Sequence, residues 1–176
     1  MSVEQIRSSL PSFAQDIKIN LGNVLNAEDS PLEQSTRYRI ALASAYATHD
    51  LTLAQAIETS GRELGLSDAD VNAAKLSATL MAMNNIYYRF LHLAHEPELQ
   101  KLPARLRMQG LVTPGINKLE FELMSLAVSA INGCGMCIEA HNREAIKHGV
   151  SVQGLQEVAR IAAVVHATAQ GLALAA

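Results

Sequence analysis

The spacing of apolar residues is the feature of this 176-residue chain that most restricts its fold. Apolar side chains recur at i, i+3 and i+4, the period of an amphipathic helix, and the alternation typical of β-strands is absent. Alanine and leucine, which favour helices, are abundant, and a 49% hydrophobic composition supplies a buried core. The sequence therefore predicts an all-α fold, a helical bundle.

Capping and turn residues predict where the helices begin and end. Ser2 and Gln5 have the spacing of a capping box before a first short helix. Asparagine, glycine and proline cluster over 20–31, which predicts a loop. Helices are predicted over 32–48, 51–63 and 71–95, followed by a connector over 96–115 rich in proline and glycine and then by three further helices.

The two halves of the chain resemble each other. The segment 41–74 aligns with 126–159 with a single-residue offset. In both segments a helix of small residues is followed along the chain by a break, a second helix, a Gly–apolar–Ser sequence and an apolar helix. This predicts one domain over 1–176 in which 1–100 forms a thiol-free repeat and 101–176 forms the catalytic repeat with the C-x-x-C site.

Only the second repeat contains thiols. Both cysteines of the chain, Cys134 and Cys137, lie in "GCGMC", and "THDLT" occupies the equivalent place in the first repeat. In that alignment Ala56 stands where the second repeat has His141. The pattern indicates a duplication in which the second copy alone retained chemistry.

The C-x-x-C segment has the features of a reactive thiol site. The stop signal at 132–133 places Cys134 near the N-terminus of the next helix, where the helix dipole stabilises a thiolate and lowers its pKa. At about 100° per residue, Cys134, Cys137 and His141 point in directions within about 60° of one another. The two sulfurs can therefore form a disulfide, and the imidazole can accept a thiol proton.

Glu122 is the candidate partner of the histidine. In one unbroken helix it would lie about 18 Å from Cys134 along the axis, too far for contact. If the chain reverses at 132–133, Glu122 faces His141 across an antiparallel helix pair. A half-buried carboxylate there fixes the imidazole tautomer and raises its basicity. The spacing thus predicts a relay from carboxylate to imidazole to the thiols.

Composition argues against several other classes of protein. The net charge of −3 gives no basic surface, and aromatic residues are only 4% of the chain, so nucleic-acid binding is not expected. The N-terminal residues lack the apolar segment of a signal peptide, and no apolar run reaches the roughly 20 residues of a membrane span. A cytoplasmic location is predicted, where a C-x-x-C pair is more often redox-active or metal-binding than a structural disulfide.

The motif E-x(11)-C-x-x-C-x(3)-H resembles the signature of the alkylhydroperoxidase branch of the carboxymuconolactone decarboxylase-like superfamily. The stretches "MAMNNIYYRF" and "LRMQGLVTPGINKLEFEL" also resemble that family. The resemblance implies that Glu122, Cys134, Cys137 and His141 are catalytic. It implies an antioxidant, lipoyl-dependent peroxidase that acts on alkyl hydroperoxides or peroxynitrite, assembled as an all-helical homotrimer with no bound cofactor or metal.

The same resemblance implies the electron donors and partners. Dihydrolipoamide on the acyltransferase of a 2-oxoacid dehydrogenase complex would reduce the disulfide, and the protein could pass electrons to the peroxiredoxin AhpC. Met136 departs from family members that carry a histidine just before the second cysteine, which affects peroxidase rate more than disulfide exchange. Within the pair, Cys134 is predicted to be the exposed thiol that meets the lipoyl sulfur, and Cys137 the thiol that attacks peroxide.

Two alternatives remain open from the sequence. The first is a dithiol–disulfide exchange protein that reduces a partner peroxiredoxin and has little peroxidase activity itself. The second is a metal-binding or oligomeric helical module, in which Cys134, Cys137, His141 and Glu122 would supply ligands. Zinc sites usually draw ligands from two separated pairs, and a helical domain of this length does not need a metal to fold.

Overall fold

A computed structural model describes residues 1–175, and the part of the chain that it describes contains helices and no β-strand. The all-α prediction is confirmed. The α-helices are α1 (Val3–Ser9), α2 (Gln15–Asn26), α3 (Gln34–Ala47), α4 (Leu51–Glu63), α5 (Asp68–Leu93), α6 (Pro97–Lys101), α7 (Gln109–Val112), α8 (Lys118–Ile131), α9 (Gly135–Lys147) and α10 (Val152–Ala173). No helix within residues 1–175 is long and apolar enough to cross a membrane.

Helices α3 and α8 form the centre of the bundle. They pack against each other, and α5 and α10 pack against both. Nine residues of α3 and nine of α8 are buried, many of them alanine or serine, whose small side chains allow the helices to approach closely. Helix α9 packs on α8 and on α5 at the edge of this core. The core therefore fixes α8, α5 and α9 relative to one another.

The predicted helix limits agree closely with the structure in most places. The capping box of α1 is present, with the Ser2 hydroxyl accepting from the Gln5 amide. The helices predicted over 32–48, 51–63 and 71–95 correspond to α3, α4 and α5. The connector over 96–115 contains the short helices α6 and α7.

The loop predicted over 20–31 is wrong in its first part. Helix α2 continues to Asn26, because Leu21, Val24 and Leu25 bury their side chains at helical spacing in the core. Burial of this apolar face outweighs the local turn tendency of the glycine and asparagines beside it. The irregular connection to α3 begins only at Ala27.

Helix limits in the second half follow those of the first half at a constant separation of 84 residues. Helices α3 and α4 have the same lengths as α8 and α9 and end in left-handed turns, at His49 (φ 64°) and Gly65 in the first half and at Gly133 (φ 67°) and Gly149 in the second. Ser67 and Ser151 then cap α5 and α10 with their side chains. The duplication and the division into 1–100 and 101–176 stay predictions.

This register corrects the alignment of the two halves by one residue. At a separation of 84, Ile57 and not Ala56 corresponds to His141, because α3 and α8, like α4 and α9, begin 84 residues apart. Asp50, the residue that caps α4, corresponds to Cys134. A capping carboxylate in the first half thus stands where the second half has a thiol.

Candidate functional site

A tight turn between α8 and α9 creates the thiol site. Helix α8 ends at Ile131 with Asn132 as its C-cap, Gly133 adopts a φ of 67°, and Cys134 is the N-cap of α9. A glycine takes this left-handed conformation without steric cost. The predicted reversal of the chain at 132–133 is confirmed, and it lays α9 back along α8.

The two cysteines occupy the N-cap and N3 positions of α9. Both are free thiols, and the Cys134 sulfur accepts a hydrogen bond from the backbone N–H of Cys137 at 3.4 Å. N-cap and N3 are the positions at which a capping box brings two side chains together at a helix start. The spacing C-x-x-C therefore places the sulfurs side by side because of where the helix begins.

The degree of burial of the two thiols differs from the prediction. Cys134 is 0% exposed, and Cys137 is 7% exposed and lines a cavity. The prediction that Cys134 is the exposed thiol is wrong, because its side chain turns back over the first turn of α9 to act as the cap. Cys137 is the thiol that faces an opening.

Glu122 and His141 form a direct hydrogen bond. The Nδ1 atom of His141 lies 2.6 Å from Oε2 of Glu122, and the two side chains are only 12% and 11% exposed. The contact predicted between α8 and α9 is confirmed. With Glu122 ionised, Nδ1–H donates to the carboxylate, and Nε2 of the neutral ring carries the free lone pair.

The other ring nitrogen of His141 meets a sulfur atom of α5. Nε2 lies 3.4 Å from Sδ of Met81. A thioether has no proton to donate to the lone pair of Nε2, and a methionine side chain is flexible. A stronger partner, such as water or a thiol, can therefore displace Met81 from Nε2 without a large loss.

Asn85 connects α5 to the thiol turn. Its amide donates to Oγ of Ser129 at 2.9 Å and accepts from the amide of Asn132 at 2.9 Å. Arg89, one turn further along α5, donates to the backbone carbonyl of Asn132. These bonds hold the turn that carries Cys134 against α5.

The reduced pair holds the Cys137 thiol in its protonated form. Burial, with a smaller contribution from the hydrogen bond with Cys134, raises the pKa of the Cys137 thiol to about 12, and the amide of Asn85 acts in the opposite direction. Desolvation disfavours the charged thiolate more than the surrounding dipoles favour it. Ionisation of this thiol therefore requires a base at the moment of reaction.

The cavity beside Cys137 has a volume of about 280 Å³ and a mostly apolar wall. It lies between α5, α7 and α9. Its wall consists of Met81, Asn84, Tyr88, Met108, Leu111, Met136, Cys137, Ala140 and His141. A larger depression of about 590 Å³ between α3 and α5 has no cysteine in its wall. The smaller cavity is the one that gives access to a thiol and to the histidine.

Asn84 of this wall and its neighbour Asn85 were not singled out from the sequence. Asn84 and Asn85 lie in the middle of α5, both buried, although asparagine is a poor helix former and is rarely buried. The signal in the sequence that could have identified these residues is the pair of adjacent asparagines inside an apolar helix. Met136 lies at the cavity wall and is about one-third exposed. Within residues 1–175, no group of three or more His, Cys, Asp or Glu side chains is arranged to hold a metal ion.

An all-helical bundle with a C-x-x-C pair at a helix start and a Glu–His pair beside it defines a class of helical dithiol protein. The carboxymuconolactone decarboxylase family model matches residues 97–176. The protein named alkyl hydroperoxide reductase AhpD from Bradyrhizobium sp. is 46% identical over 100% of this chain and 96% of its own length.

Two further relatives have the same name. That of Rhodospirillum centenum is 45% identical over 96% of this chain and 89% of its own length. That of Coxiella burnetii is 47% identical over 96% of this chain and 95% of its own length. The chain belongs to the alkyl hydroperoxide reductase AhpD family.

Proposed function

We propose that this protein is an antioxidant peroxidase that reduces alkyl hydroperoxides to alcohols through the Cys134–Cys137 dithiol. The observation that carries the proposal is the buried Glu122–His141 hydrogen bond at the wall of the cavity that Cys137 lines. The name of its relatives, alkyl hydroperoxide reductase, supports the same reaction.

In the first step His141 accepts the proton of the Cys137 thiol. Glu122 accepts a hydrogen bond from Nδ1–H and stabilises the imidazolium that forms. The thiolate attacks the terminal oxygen of the hydroperoxide, so that an S–O bond forms and the O–O bond breaks. The alkoxide that leaves takes the proton from the imidazolium and departs as an alcohol.

In the second step the two sulfurs join. The sulfenic acid on Cys137 condenses with the thiol of Cys134, which releases water and forms the disulfide. The positions of the cysteines at N-cap and N3 of α9 favour this reaction over further oxidation, because the second thiol is already adjacent. The product is a disulfide that an external dithiol must reduce.

We propose dihydrolipoamide as the reductant, carried by the acyltransferase of a 2-oxoacid dehydrogenase complex, with the peroxiredoxin AhpC as a further partner. Peroxynitrite would be a second substrate. The free thiols fit a reducing compartment, and we place the protein in the cytoplasm. Thiol–disulfide exchange requires only access to one sulfur, and Cys137 offers it.

We also propose that the chain assembles as a homotrimer. Ile86, Phe90 and Leu93 lie at i, i+4 and i+7 on α5, and each is more than half exposed. An apolar stripe of this kind on a helix is typical of a surface that another subunit covers. The stripe begins one turn after Met81, so such an interface would lie close to the site.

A second candidate function is dithiol–disulfide exchange with a peroxiredoxin and little peroxidase activity. Two observations favour it. Met136 provides no proton-transfer group where it lines the cavity, and the pKa of Cys137 is raised to about 12. A thiol with this pKa forms little thiolate until a partner or a base assists it.

The test is turnover of cumene hydroperoxide with dihydrolipoamide as reductant. We expect turnover by the native chain and none by Cys134→Ser or Cys137→Ser, since each removes one half of the couple. Robust turnover by either serine variant would refute the two-thiol mechanism. If the native chain consumes dihydrolipoamide only when a peroxiredoxin is added, the exchange function replaces the peroxidase function.

A further inference from the structure

The side-chain amide of Asn84 is buried without a partner for its oxygen. Asn84 is 3% exposed, and its Oδ1 atom has no hydrogen-bond donor among the described residues. The residue lies on α5 in the wall of the cavity that contains Cys137 and His141. Its neighbour Asn85, by contrast, uses both ends of its amide.

A buried acceptor without a donor is unfavourable, and such groups in folded proteins usually have a reason. Removing Oδ1 from water costs free energy that no protein donor compensates here. The position adds a second observation, because Asn84 is one of the residues that line the cavity. A ligand in the cavity would supply the missing donor.

The remaining wall indicates what kind of ligand that is. Met81, Met108, Leu111, Met136 and Ala140 give the cavity an apolar lining. A ligand that fits has a small apolar body and one hydroxyl-type donor placed near the thiol. An alkyl hydroperoxide has this form, with an alkyl group at one end and O–O–H at the other.

We propose that Asn84 binds the peroxide group of the substrate, with Oδ1 accepting the hydrogen bond of the terminal O–H. This inference rests on the proposed peroxidase function and assigns a substrate-binding residue to it. The amide N–H groups can also donate to an oxygen of the same group. The amide thereby fixes the direction of the O–O bond relative to the Cys137 sulfur.

The hydrogen bond explains which oxygen is attacked. The proton held by Oδ1 stays on the terminal oxygen, which becomes the oxygen of the sulfenic acid when the S–O bond forms. The electron pair of the broken O–O bond leaves with the alkyl-bearing oxygen, which takes the proton that His141 received from the thiol. Dialkyl peroxides lack the O–H group, so they lack the contact with Asn84.

The experiment compares Asn84→Leu with Asn72→Leu, a change of the same type at an exposed position of the same helix. The second-order rate of thiol loss is measured when reduced protein is mixed with cumene hydroperoxide. We expect Asn84→Leu to react about 10- to 100-fold more slowly, the effect of losing one or two hydrogen bonds to a ligand. Asn72→Leu should react at the native rate.

Three further measurements separate substrate binding from a structural role. Leucine has the branching and the number of side-chain heavy atoms of asparagine and removes the unpaired oxygen, so the melting temperature of Asn84→Leu should stay the same or rise. Reduction of the preformed disulfide by dithiothreitol should keep its native rate. tert-Butyl hydroperoxide should show the same fold loss as cumene hydroperoxide, because both present the same O–O–H group.

The inference fails if Asn84→Leu reacts with hydroperoxide at the native rate. It also fails if peroxide reaction, dithiothreitol reduction and melting temperature all fall together, because Asn84 would then support the fold of the site. If the native chain itself does not react with hydroperoxide, the peroxidase function and this inference fail together. If the native chain reacts with hydroperoxide and Asn84→Leu reacts at the same rate, only this inference fails. Asn84→Ala, which opens the cavity instead of filling it, repeats the test with the opposite change in volume.

Discussion

Nδ1 of His141 lies 2.6 Å from Oε2 of Glu122, although the two residues are 19 positions apart and belong to different helices. Both side chains are largely buried, so their electrostatic interaction is stronger than it would be in water. The carboxylate fixes the tautomer of the ring through this hydrogen bond. This geometry is the one that the proposed proton relay requires.

Changes in this pair should reduce peroxide turnover. We expect His141→Gln to slow the reaction about 10²- to 10⁴-fold, the usual range for loss of a general base. Glu122→Gln should slow it about 10- to 100-fold, because it keeps a hydrogen bond but loses the charge. Glu139→Gln, which removes an exposed carboxylate of α9, is the control and should be neutral. Native activity in Glu122→Gln would refute the relay.

The order of the two thiols can be tested by trapping the sulfenic acid. Cys137 lines the cavity and Cys134 is fully buried, so peroxide should oxidise Cys137 first. With one equivalent of hydroperoxide, Cys134→Ser should form a dimedone adduct at Cys137, detected by mass spectrometry. Cys137→Ser should form none under the same conditions. An adduct confined to Cys134 would reverse the assignment.

Met136→His tests the effect of an imidazole between the cysteines. Met136 is partly exposed at the cavity wall, so a histidine there can reach solvent and the reacting atoms. We expect peroxide turnover with dihydrolipoamide to be at least as fast as in the native chain. Met136→Gln, similar in size but unable to accept a proton from a thiol, is the control. A slower histidine variant with native stability would contradict the prediction.

The titration of Cys137 gives a prediction about pH. Burial raises the pKa of the Cys137 thiol from about 9 to about 12. In reduced Cys134→Ser, thiolate absorbance at 240 nm should therefore not appear between about pH 6 and 9. A thiolate that titrates near neutral pH would contradict this prediction, because the Cys137 thiol would then be ionised before any reaction begins.

The same shift has a consequence for stability, with a defined sign. Below about pH 9 the Cys137 thiol is protonated in both the folded and the unfolded chain, so its favourable contribution is fully present. Between about pH 9 and 12 the unfolded chain binds fewer protons, and the free energy of unfolding falls as pH rises. Urea unfolding of the reduced chain should show a steeper fall there than Cys137→Ser, with no such difference at lower pH.

The exposed apolar stripe of α5 predicts how the assembly can be disrupted. Ile86→Asp places a charge within the stripe and should convert a trimer to monomers in sedimentation experiments. Ile19→Asp, a comparable change at an exposed isoleucine of α2, should leave the assembly intact. A native chain that sediments as a monomer, or an Ile86→Asp variant that remains trimeric, would refute the stripe as the interface.

Much of the fold could be predicted because its signals are local. The cap at Ser2 and the stop signal at 132–133 lie at the helix ends that they predict. The contact between Glu122 and His141 could also be predicted, since it needs only one turn and the helical period. Where tertiary packing decided the outcome, as in the continuation of α2 through Leu25, the local signal failed.

The features that the sequence did not reveal depend on α5. This helix is distant in sequence from the C-x-x-C segment, yet it contributes Met81, Asn84 and Asn85 to the site. Which cysteine faces the cavity follows from how α5 and α9 pack, and spacing along one helix cannot determine that. The prediction that Cys134 is exposed failed for this reason.

The sulfur of Cys134 has the same place in its half of the chain as the carboxylate of Asp50 in the other half. Asp50 accepts from the third residue of its helix at 2.9 Å, and Cys134 does so at 3.4 Å through an atom that accepts hydrogen bonds weakly. The capping hydrogen bond therefore stabilises the first turn of α9 less than the first turn of α4. Amide hydrogens in the first turn of α9 should therefore exchange with solvent deuterium faster than those in the first turn of α4. Their exchange rates should also differ between the dithiol and disulfide forms. A docking protein could then detect oxidation from the local stability of the backbone.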